Sequence, residues 1–293
     1  MTSHHLPAGE NHPGGPEGYT SLFDGTTLNG WYAVPRSYGT QWPGGPHVLE
    51  TGSGFPADYQ THADAHPAKW TVEDGALVGR QDPPGSGYGG YLVSEEAYGD
   101  FELVLEAKPD WPADSGIMIR RRPDSWEGIQ VLLDHRRSGS IGGYYGNGIG
   151  AFHAVPFALT ARKDAEGNAV GLREDDPETS VEPFSSHKRD LLTRGADVTD
   201  FLSVWRWMDW NEFRIRCVGL LPRVTTWING LLVAEIDMST LDAPHYDPEA
   251  VAALLGPEGH IAFEVHDTDP RLGRDRWGPD AACRWRNVRV RRL

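Results

Sequence analysis

The stretch Val224-Thr-Thr-Trp-Ile-Asn-Gly-Leu-Leu-Val-Ala-Glu-Ile236 decides the fold class. Two apolar runs rich in β-branched and aromatic residues flank the dipeptide Asn229-Gly230. Both residues of this dipeptide tolerate positive φ angles, which the two-residue turn of a tight hairpin requires. The stretch therefore predicts two antiparallel strands joined by a hairpin turn.

Strand patterns recur on both sides of this hairpin. Residues 70–79 repeat the hairpin pattern around Asp74-Gly75. Residues 101–107 alternate apolar and polar side chains, which predicts a strand with one buried face. Further strand-like runs are residues 115–120, 128–134, 213–217, 260–266 and 285–290. Short strands at this spacing predict an all-β sandwich or jelly roll.

One short helix is predicted, with Asp247 as N-cap, Pro248 at the first helical position and Gly256 at the end. Residues 35–66 and 136–204 interrupt the regular strand spacing, and we expect them to form long loops at the rim of the sandwich. Since neither a repeat nor a linker divides the chain, residues 19–293 are predicted to form one domain behind a flexible tail, residues 1–18.

The charge balance excludes two classes of partner. The chain has 293 residues, with 27 Lys and Arg against 42 Asp and Glu, so its formal net charge is −15. Nucleic-acid binding needs clustered basic side chains that face phosphates. The acidic balance argues against that partner and equally against an anionic membrane surface. No apolar stretch approaches the roughly 18 residues of a transmembrane helix, so no membrane span is predicted.

The first 18 residues lack the basic and apolar regions of a secretory signal. This predicts a cytoplasmic, reducing location, in which Cys217 and Cys283 are two buried thiols, although a bridge between them stays open. The glycine-rich residues 142–150 superficially resemble a dinucleotide loop. Because no βαβ unit surrounds them, they predict a flexible rim loop and no nucleotide cofactor.

Several segments together carry a resemblance to a known family. In chain order they are Tyr19-Thr-Ser-Leu-Phe-Asp-Gly-Thr-Thr-Leu-Asn-Gly-Trp31, Trp70-Thr-Val-Glu-Asp-Gly-Ala-Leu-Val-Gly79, Tyr91-Leu-Val-Ser94, Tyr98-Gly-Asp-Phe-Glu-Leu103, Asp114-Ser-Gly-Ile-Met-Ile-Arg120, Trp227-Ile-Asn-Gly-Leu-Leu-Val233, Gly259-His-Ile261 and Trp285-Arg-Asn-Val-Arg-Val290. As a set they resemble the 3-keto-disaccharide hydrolase family, over residues 18–293 apart from the two interrupting segments.

The resemblance implies a concanavalin/laminin G-like jelly roll. It also implies an enzyme that cleaves the glycosidic bond of a 3-keto-glycoside, by hydrolysis or by elimination across C1–C2. The substrate would be a small sugar or glycoside, and a separate sugar 3-dehydrogenase would be the pathway partner. Several relatives depend on a divalent metal ion, so the resemblance implies such a cofactor without distinguishing Ca, Mg, Mn and Zn.

Two positions match the family's motifs directly. The family commonly has Glu-Val-Gln where this chain has Gly128-Ile129-Gln130, so Gln130 matches. It often has Gln-Asp-His-Gly where this chain has Glu264-Val265-His266-Asp267, so His266 matches. The chain departs from the family at two positions, since the family's Glu is missing at position 128 and a carboxylate is new at position 264.

The chemistry implied by the resemblance needs three groups. A C3 ketone makes the C2–H bond acidic, so the reaction needs a base, a cation or metal for the enolate oxygen, and an acid for the leaving group. Strand parity places Glu264 and His266 on one face of a strand. In the same way it places Gln130, Leu132 and Asp134 on one face of a second strand, and Met118 and Arg120 on one face of a third. We predict His266 as base or metal ligand, and Glu264 or Asp134 as its acid–base partner. Arg120 is predicted to hold the oxyanion.

Donors and aromatic rings complete the predicted site. His266, Asp267 and Asp269, with Glu264 close by, are oxygen and imidazole donors that predict a metal site. Aromatic rings stack on the C–H faces of sugars. The predicted substrate-binding residues are Gln130, His135, Tyr144, Tyr145, His153 and Trp277. Further tryptophan candidates for the cleft are Trp205, Trp207 and Trp210.

Two other functions stay open at this point. A conventional glycoside hydrolase would use two carboxylates, for example Asp134 and Glu264. A non-catalytic carbohydrate-binding jelly roll would bind glycans without turnover. The fold alone separates none of these functions.

Overall fold

The computed structural model describes residues 18–51, 54–268 and 276–293. Over these residues the chain forms two large antiparallel β-sheets that pack face to face. The predicted N-terminal tail lies, except for Gly18, outside the described residues. None of the described helices is long and apolar enough to cross a membrane.

The two sheets are unequal in size. Nine described strands form the first sheet, in the spatial order β13 (Arg194–Gly195), β16 (Leu231–Asp237), β15 (Arg223–Ile228), β14 (Asn211–Val218), β6 (Phe101–Pro109), β18 (Cys283–Arg292), β4 (Ala76–Arg80) and β3 (Lys69–Glu73), with β1 (Thr20–Ser21) paired to β18. Seven described strands form the second sheet, in the order β10 (His153–Ala154), β9 (Ile141–Asn147), β8 (Gly128–Leu133), β7 (Ser115–Arg121), β17 (Gly259–Val265), β5 (Gly90–Tyr98) and β2 (Trp31–Pro35).

Both predicted hairpins are present. β15 and β16 pair around Asn229 and Gly230, whose φ angles are 48° and 84°. β3 and β4 pair around Asp74 and Gly75, with φ angles of 49° and 75°. Two successive positive φ angles are the conformation of the hairpin turn that these dipeptides favour.

The core lies between the two sheets. Phe263 of β17 stacks between Trp31 and Trp285, with ring centroids 5.2 and 4.8 Å apart. Alternate residues of β8, such as Ile129 and Val131, point the same way and are fully buried. The fold is therefore a β-sandwich of the jelly-roll type, as the sequence predicted. Cys217 and Cys283 are buried in this interior as free thiols.

The predicted helix is α4 (Pro248–Leu255). The side chain of Asp247 caps it by accepting from the backbone N–H groups of Glu249 and Ala250, and Gly256 follows with a φ of 68°. Three further helices lie inside the two long segments and were not predicted: α1 (Tyr59–Ala63), α2 (Ser186–Asp190) and α3 (Val198–Val204). A single 3-10 turn, Val48–Glu50, lies in the first segment.

The structure corrects the interpretation of residues 136–204 as a rim loop. Their glycine-rich start forms β9, which lies between β8 and β10 in the second sheet. A Cβ at Gly146 would approach the ring of Phe152 to 2.3 Å, so glycine serves close packing there rather than flexibility. The segment then forms a separate two-stranded hairpin, β11 (Leu159–Lys163) with β12 (Ala169–Glu174).

Candidate active site

A cavity of about 550 Å³ lies over the outer face of the seven-stranded sheet, which is the face turned away from the core. Side chains of β8 and β9 line one side of it, and Tyr38 and Phe55 of the first long segment line another. The charged side chains that line it among the described residues are Arg36, Arg136, Lys188 and Arg276, against Asp114, Asp134 and Glu182. Although the chain carries −15, the described lining holds four basic side chains and three carboxylates.

Gln130 lies on the outer face of β8, as strand parity predicted. Its amide nitrogen donates to Oε2 of Glu264 at 2.6 Å, and its amide oxygen accepts from Nδ2 of Asn147 at 3.2 Å. Gly116 of β7 makes room for it, because a Cβ at that position would lie 2.5 Å from the amide nitrogen. Both ends of the amide are therefore held in one orientation.

Glu264 is fully buried on the same face. Its Oε1 accepts from Nε of Arg36 at 2.6 Å, and its Oε2 accepts from Gln130. Arg36 follows β2 and reaches Glu264 across 228 positions of sequence. A buried carboxylate needs such a cationic partner. Glu264 therefore anchors Arg36 and does not itself line the cavity.

His266 lines the cavity directly after β17. Its Nδ1 lies 2.7 Å from Oδ1 of Asp267 and 2.8 Å from the Asp267 carbonyl oxygen. Its Nε2 lies 3.0 Å from Nη2 of Arg36 and 3.0 Å from Nη1 of Arg276. Because a guanidinium can only donate, Nε2 is the acceptor and the proton belongs on Nδ1. This is the tautomer in which Nε2 carries no proton, as a general base requires.

The Asp267 side chain has three further partners besides His266. Its carboxylate accepts from Nη1 of Arg36 at 3.1 Å and from the hydroxyls of Tyr38 and Tyr59 at 2.9 and 2.6 Å. Burial alone would raise its pKa, but the charge of Arg36 and the hydrogen bonds from His266 and the tyrosines hold the pKa far below the usual range. Asp267 is therefore a fixed anion that orients the imidazole.

A second charged cluster adjoins the first. Oδ2 of Asp114 lies 2.6 Å from Nη1 of Arg276 and 3.8 Å from Nε2 of His266. Nε of Arg136 lies 3.0 Å from Oδ2 of Asp134 and 3.6 Å from Oδ2 of Asp114. One continuous network of charges therefore links His266 to Asp134.

The two carboxyl groups of this cluster titrate differently. Burial raises the pKa of Asp134 to about 7, with the neighbouring Asp114 adding to the rise and Arg136 opposing it. For Asp114, burial is outweighed by the neighbouring His266, Arg276 and Arg136, which lower its pKa. Asp134 can therefore hold a proton near neutral pH while Asp114 stays ionised, which is the division that acid–base chemistry requires.

The wall opposite the sheet comes from the second long segment. Glu182 accepts from Nη2 of Arg136 at 3.0 Å, and this cation lowers the pKa of Glu182 to about 2 against the effect of burial. Burial, aided by the charge of Lys188, lowers the pKa of His153 to about 4, so its imidazole is neutral at pH 7. Tyr145 and His153 both line the cavity, where the sequence placed them.

Arg120 does not reach this site. β7 carries an extra residue against β17, since Met118 pairs with Ala262 and Arg121 with His260, and Arg120 itself has a φ of 51°. Such a bulge breaks strand parity. The Arg120 guanidinium instead donates to the carbonyl oxygens of Gly219 and Pro257 and is buried away from the cavity. The prediction of Arg120 as oxyanion holder is corrected, and the guanidinium groups that line the cavity among the described residues are those of Arg36, Arg136 and Arg276.

Three predicted sugar contacts lie elsewhere. Tyr144 points into the core, where its hydroxyl donates to the carbonyl oxygen of Ala234 at 2.9 Å. His135 is buried beside the Asp110 carbonyl, and burial lowers its pKa to about 4. Trp277 belongs to the core cluster and is 1% exposed. None of these three lines the cavity. Tyr144 lies on the inner face of β9, and local packing buries His135 and Trp277.

The tryptophan that lines the cavity is Trp126, which sequence analysis did not single out. Trp205 packs on the core, Trp207 contacts Trp111, and Trp210 stacks on the Arg286 guanidinium. Trp126 precedes β8 in a turn, where no strand pattern marks its direction.

The described residues do not fit a divalent metal ion at the predicted place. Among them, no group of three or more His, Cys, Asp or Glu side chains could hold one. Asp269 lies outside the described residues. His266 and Asp267 are both within hydrogen-bond distance of Arg36, so the donor atoms that a metal would need already face a guanidinium.

Sequence analysis missed most of the charged partners. Asp114 stood in a quoted family segment without a role, and Arg36, Tyr38 and Tyr59 stood in a segment known only to be long. One signal for Arg36 was available. Carboxylates at 264 and 267, in and next to a buried strand, require a cation somewhere in the chain.

The fold and the cavity define a jelly-roll protein with a buried cluster of charged side chains on one sheet. The chain belongs to the family described as the 3-keto-alpha-glucoside-1,2-lyase-like domain, whose model matches residues 18–291. A 3-keto-disaccharide hydrolase from Bacteroides thetaiotaomicron is 32% identical over 104 residues. That match covers 34% of this chain and 27% of the relative, so it spans about a quarter of the relative's length.

Solved structures also resemble this chain. A putative glycosyl hydrolase from Parabacteroides distasonis is 14% identical, with coverage of 94% of this chain and 95% of that one and a TM-score of 0.45. A β-1,3-glucanase from Mycobacterium marinum is 15% identical, with coverage of 95% and 100% and a TM-score of 0.42.

Proposed function

We propose that this protein cleaves the glycosidic bond of a 3-keto-glycoside. The observation that carries the proposal is the setting of His266, a residue that lines the cavity, with Nδ1 held by Asp267 and Nε2 facing the guanidinium groups of Arg36 and Arg276. Family membership supports the substrate class. An imidazole so oriented is suited to removing a carbon-bound proton that a neighbouring ketone makes acidic.

The first step is proton abstraction. Nε2 of His266 takes the proton from C2, and the C–H electron pair enters an enolate whose negative charge lies on the C3 oxygen. Collapse of the enolate forms the C1–C2 double bond and breaks the bond from C1 to the glycosidic oxygen. A cation near the C3 oxygen stabilises the charge as it develops.

The leaving oxygen needs a proton at the same moment. Asp134 lines the cavity with its pKa raised to about 7, so it can carry that proton near neutral pH. Addition of water at C1, with return of a proton to C2, then gives net hydrolysis. Release of the unsaturated ketone before water adds gives elimination instead.

The proposal also requires a supplier of substrate. Oxidation of a sugar hydroxyl at C3 removes two electrons, and that reaction belongs to a separate sugar 3-dehydrogenase. The product of this protein is a free aglycone together with a 3-keto sugar or its unsaturated derivative.

The experiment compares oxidised and unoxidised substrates. Purified protein is incubated with a nitrophenyl 3-keto-glucoside and with the parent nitrophenyl glucoside, in water and in D₂O. We expect turnover of the ketone alone, with deuterium at C2 of any hydrolysis product and ultraviolet absorbance of an enone if elimination dominates. A primary isotope effect is expected with substrate deuterated at C2.

The outcome separates the alternatives. Cleavage of the parent glucoside without C2 exchange would indicate a two-carboxylate glycoside hydrolase and contradict the proposal. Binding of both compounds without turnover would indicate a carbohydrate-binding module. The pair Asp134 and Glu264 is poorly suited to the former, since both oxygens of Glu264 are engaged by Arg36 and Gln130.

A further inference from the structure

We infer that the guanidinium groups of Arg36 and Arg276 together form the binding site for the C3 oxygen, so that this chain stabilises the enolate without a divalent metal ion. The inference rests on the proposed function and names the cation that it requires. Its starting point is geometric, since both side chains line the cavity and each places an Nη atom 3.0 Å from Nε2 of His266.

Each guanidinium is held by carboxylates. Arg36 donates through Nε to Glu264 at 2.6 Å and through Nη1 to Asp267 at 3.1 Å, and its Nη2 faces His266. Nη1 of Arg276, the same atom that faces His266, donates to Oδ2 of Asp114 at 2.6 Å. Carboxylate anchoring of a planar guanidinium fixes its orientation. The pair is therefore organised before any substrate arrives.

The same contacts disfavour a metal ion beside His266. A cation bound at Nε2 would face two guanidinium groups at short range, in a cavity where burial strengthens electrostatic repulsion. The described carboxylates around Arg36 and Arg276 are already paired. Glu264 and Asp267 hold Arg36, and Asp114 holds Arg276.

The arrangement suits the charge that forms in the reaction. The proton leaves C2 while the negative charge grows on the oxygen of the adjacent C3. Base and cation must therefore stand side by side, and Nε2 of His266 stands beside both guanidinium groups. Hydrogen bonds from a cationic donor strengthen as the acceptor gains charge, which favours the enolate over the ketone.

The first test measures metal binding directly. Purified protein is treated with a chelator, its metal content is measured by mass spectrometry, and it is titrated with Mn²⁺, Zn²⁺ and Ca²⁺ in a calorimeter. We expect no stoichiometric metal, no specific binding heat, and unchanged turnover of the nitrophenyl 3-keto-glucoside after chelation. One bound equivalent, with activity lost on chelation and restored by the ion, would overturn the inference.

The second test removes one guanidinium. Arg276→Ala should lower kcat about 10²- to 10³-fold, the usual cost of one oxyanion donor. Added guanidinium ion at millimolar concentration should restore part of this loss, whereas added Mn²⁺ should not. Arg223→Gln, which removes an exposed arginine paired with Asp237, is the matched control and should leave kcat unchanged. A kcat of Arg276→Ala within twofold of the parent would contradict the inference.

The tests also distinguish an error in the proposed function from an error in this inference. A protein that cleaves no 3-keto-glycoside, with or without metal, contradicts the proposed function, while the calorimetric titration still decides whether a metal binds. Arg36→Gln is the less informative variant because it leaves two buried carboxylates without their cation. Arg36→Lys retains the charge, and it should fold and lose activity through the missing donors.

Discussion

Ile129 and Gln130 are neighbours on β8, and both are buried, yet they belong to two different kinds of interior. The inner face of the sheet carries Ile129 and its apolar neighbours, packed against the nine-stranded sheet. The outer face carries Gln130, which bonds to a fully buried glutamate. The inner face needs only volume and apolar surface. The outer face needs particular partners, because each buried polar group must find a donor or an acceptor.

The comparison teaches where function can be built on a sandwich. Both faces of β8 are shielded from water, but only the outer face holds charge. Its shielding comes from the two long segments rather than from the nine-stranded sheet. A polar site of low dielectric constant therefore forms on the outer face of the sheet, where chain segments cover it. The inner face of the same sheet packs on the core and supports the site.

The largest expected effect is a loss of activity from a change on the outer face. His266→Gln should lower kcat about 10³-fold, because general base catalysis contributes about 10² to 10⁴. Its melting temperature should stay within a few degrees of the parent, since the side chain borders the cavity. The measurements are steady-state kinetics on the 3-keto-glucoside and a thermal melt. Parent-like activity would remove His266 from the chemistry.

The next effect lies on the inner face. Ile129→Ala should lower the free energy of unfolding by about 3 kcal/mol, because the packed core cannot close the space left behind. Leu132→Ala on the outer face of the same strand is the matched control. Leu132 borders the cavity, so its loss should cost clearly less. Urea unfolding of both variants measures the difference, and equal losses would mean that the two faces are equally well packed.

A smaller effect tests the partners of the outer face. Gln130→Leu keeps a similar volume but leaves Oε2 of Glu264 without its donor, at a cost of about 2 kcal/mol. The variant Glu264→Gln and the double variant complete a thermodynamic cycle. We expect a coupling energy of at least about 1 kcal/mol from urea unfolding. Additive losses would show that the bond between the two side chains contributes nothing.

The smallest effect concerns pH. Burial raises the pKa of Asp134 to about 7, so its proton is present below that pH and is lost as the pH rises through it. If Asp134 donates to the leaving group, kcat should fall about tenfold for each pH unit above 7. Asp134→Asn should abolish that limb of the profile. A leaving group that needs no protonation, such as dinitrophenolate, should restore the rate of the variant.

The fold was predictable because its signals are local. The dipeptides at 74–75 and 229–230 specify hairpins on their own, and the alternation in β6 and β8 needs no knowledge of distant residues. The same alternation placed Gln130, Glu264 and His266 on the face that carries the cavity. The alternation predicted the wrong face for Arg120, because β7 contains a one-residue bulge before this position. No pattern in the sequence marks that bulge.

The remaining site residues were unpredictable for a different reason. Arg36, Tyr38 and Tyr59 act on Asp267 from a segment with no strand or helix periodicity. Tyr144 and Tyr145 show the limit of composition, since adjacent tyrosines share a glycine-rich run and point to opposite sides of β9. Residue type predicted a sugar contact for both, and only the backbone direction distinguishes them.

The separation of Arg36 from its carboxylates has a consequence for the order in which the molecule assembles. The contacts from Arg36 to Glu264 and Asp267 span 228 and 231 positions, nearly the whole chain, whereas each hairpin closes within a few residues. Contacts of such long range form slowly because they close large loops. We therefore expect refolding protein to recover its tryptophan fluorescence before its activity. In the partly folded chain, Glu264 and Asp267 lack the cation that Arg36 supplies. We therefore expect the delay between recovery of fluorescence and recovery of activity to change at acidic pH and with salt concentration.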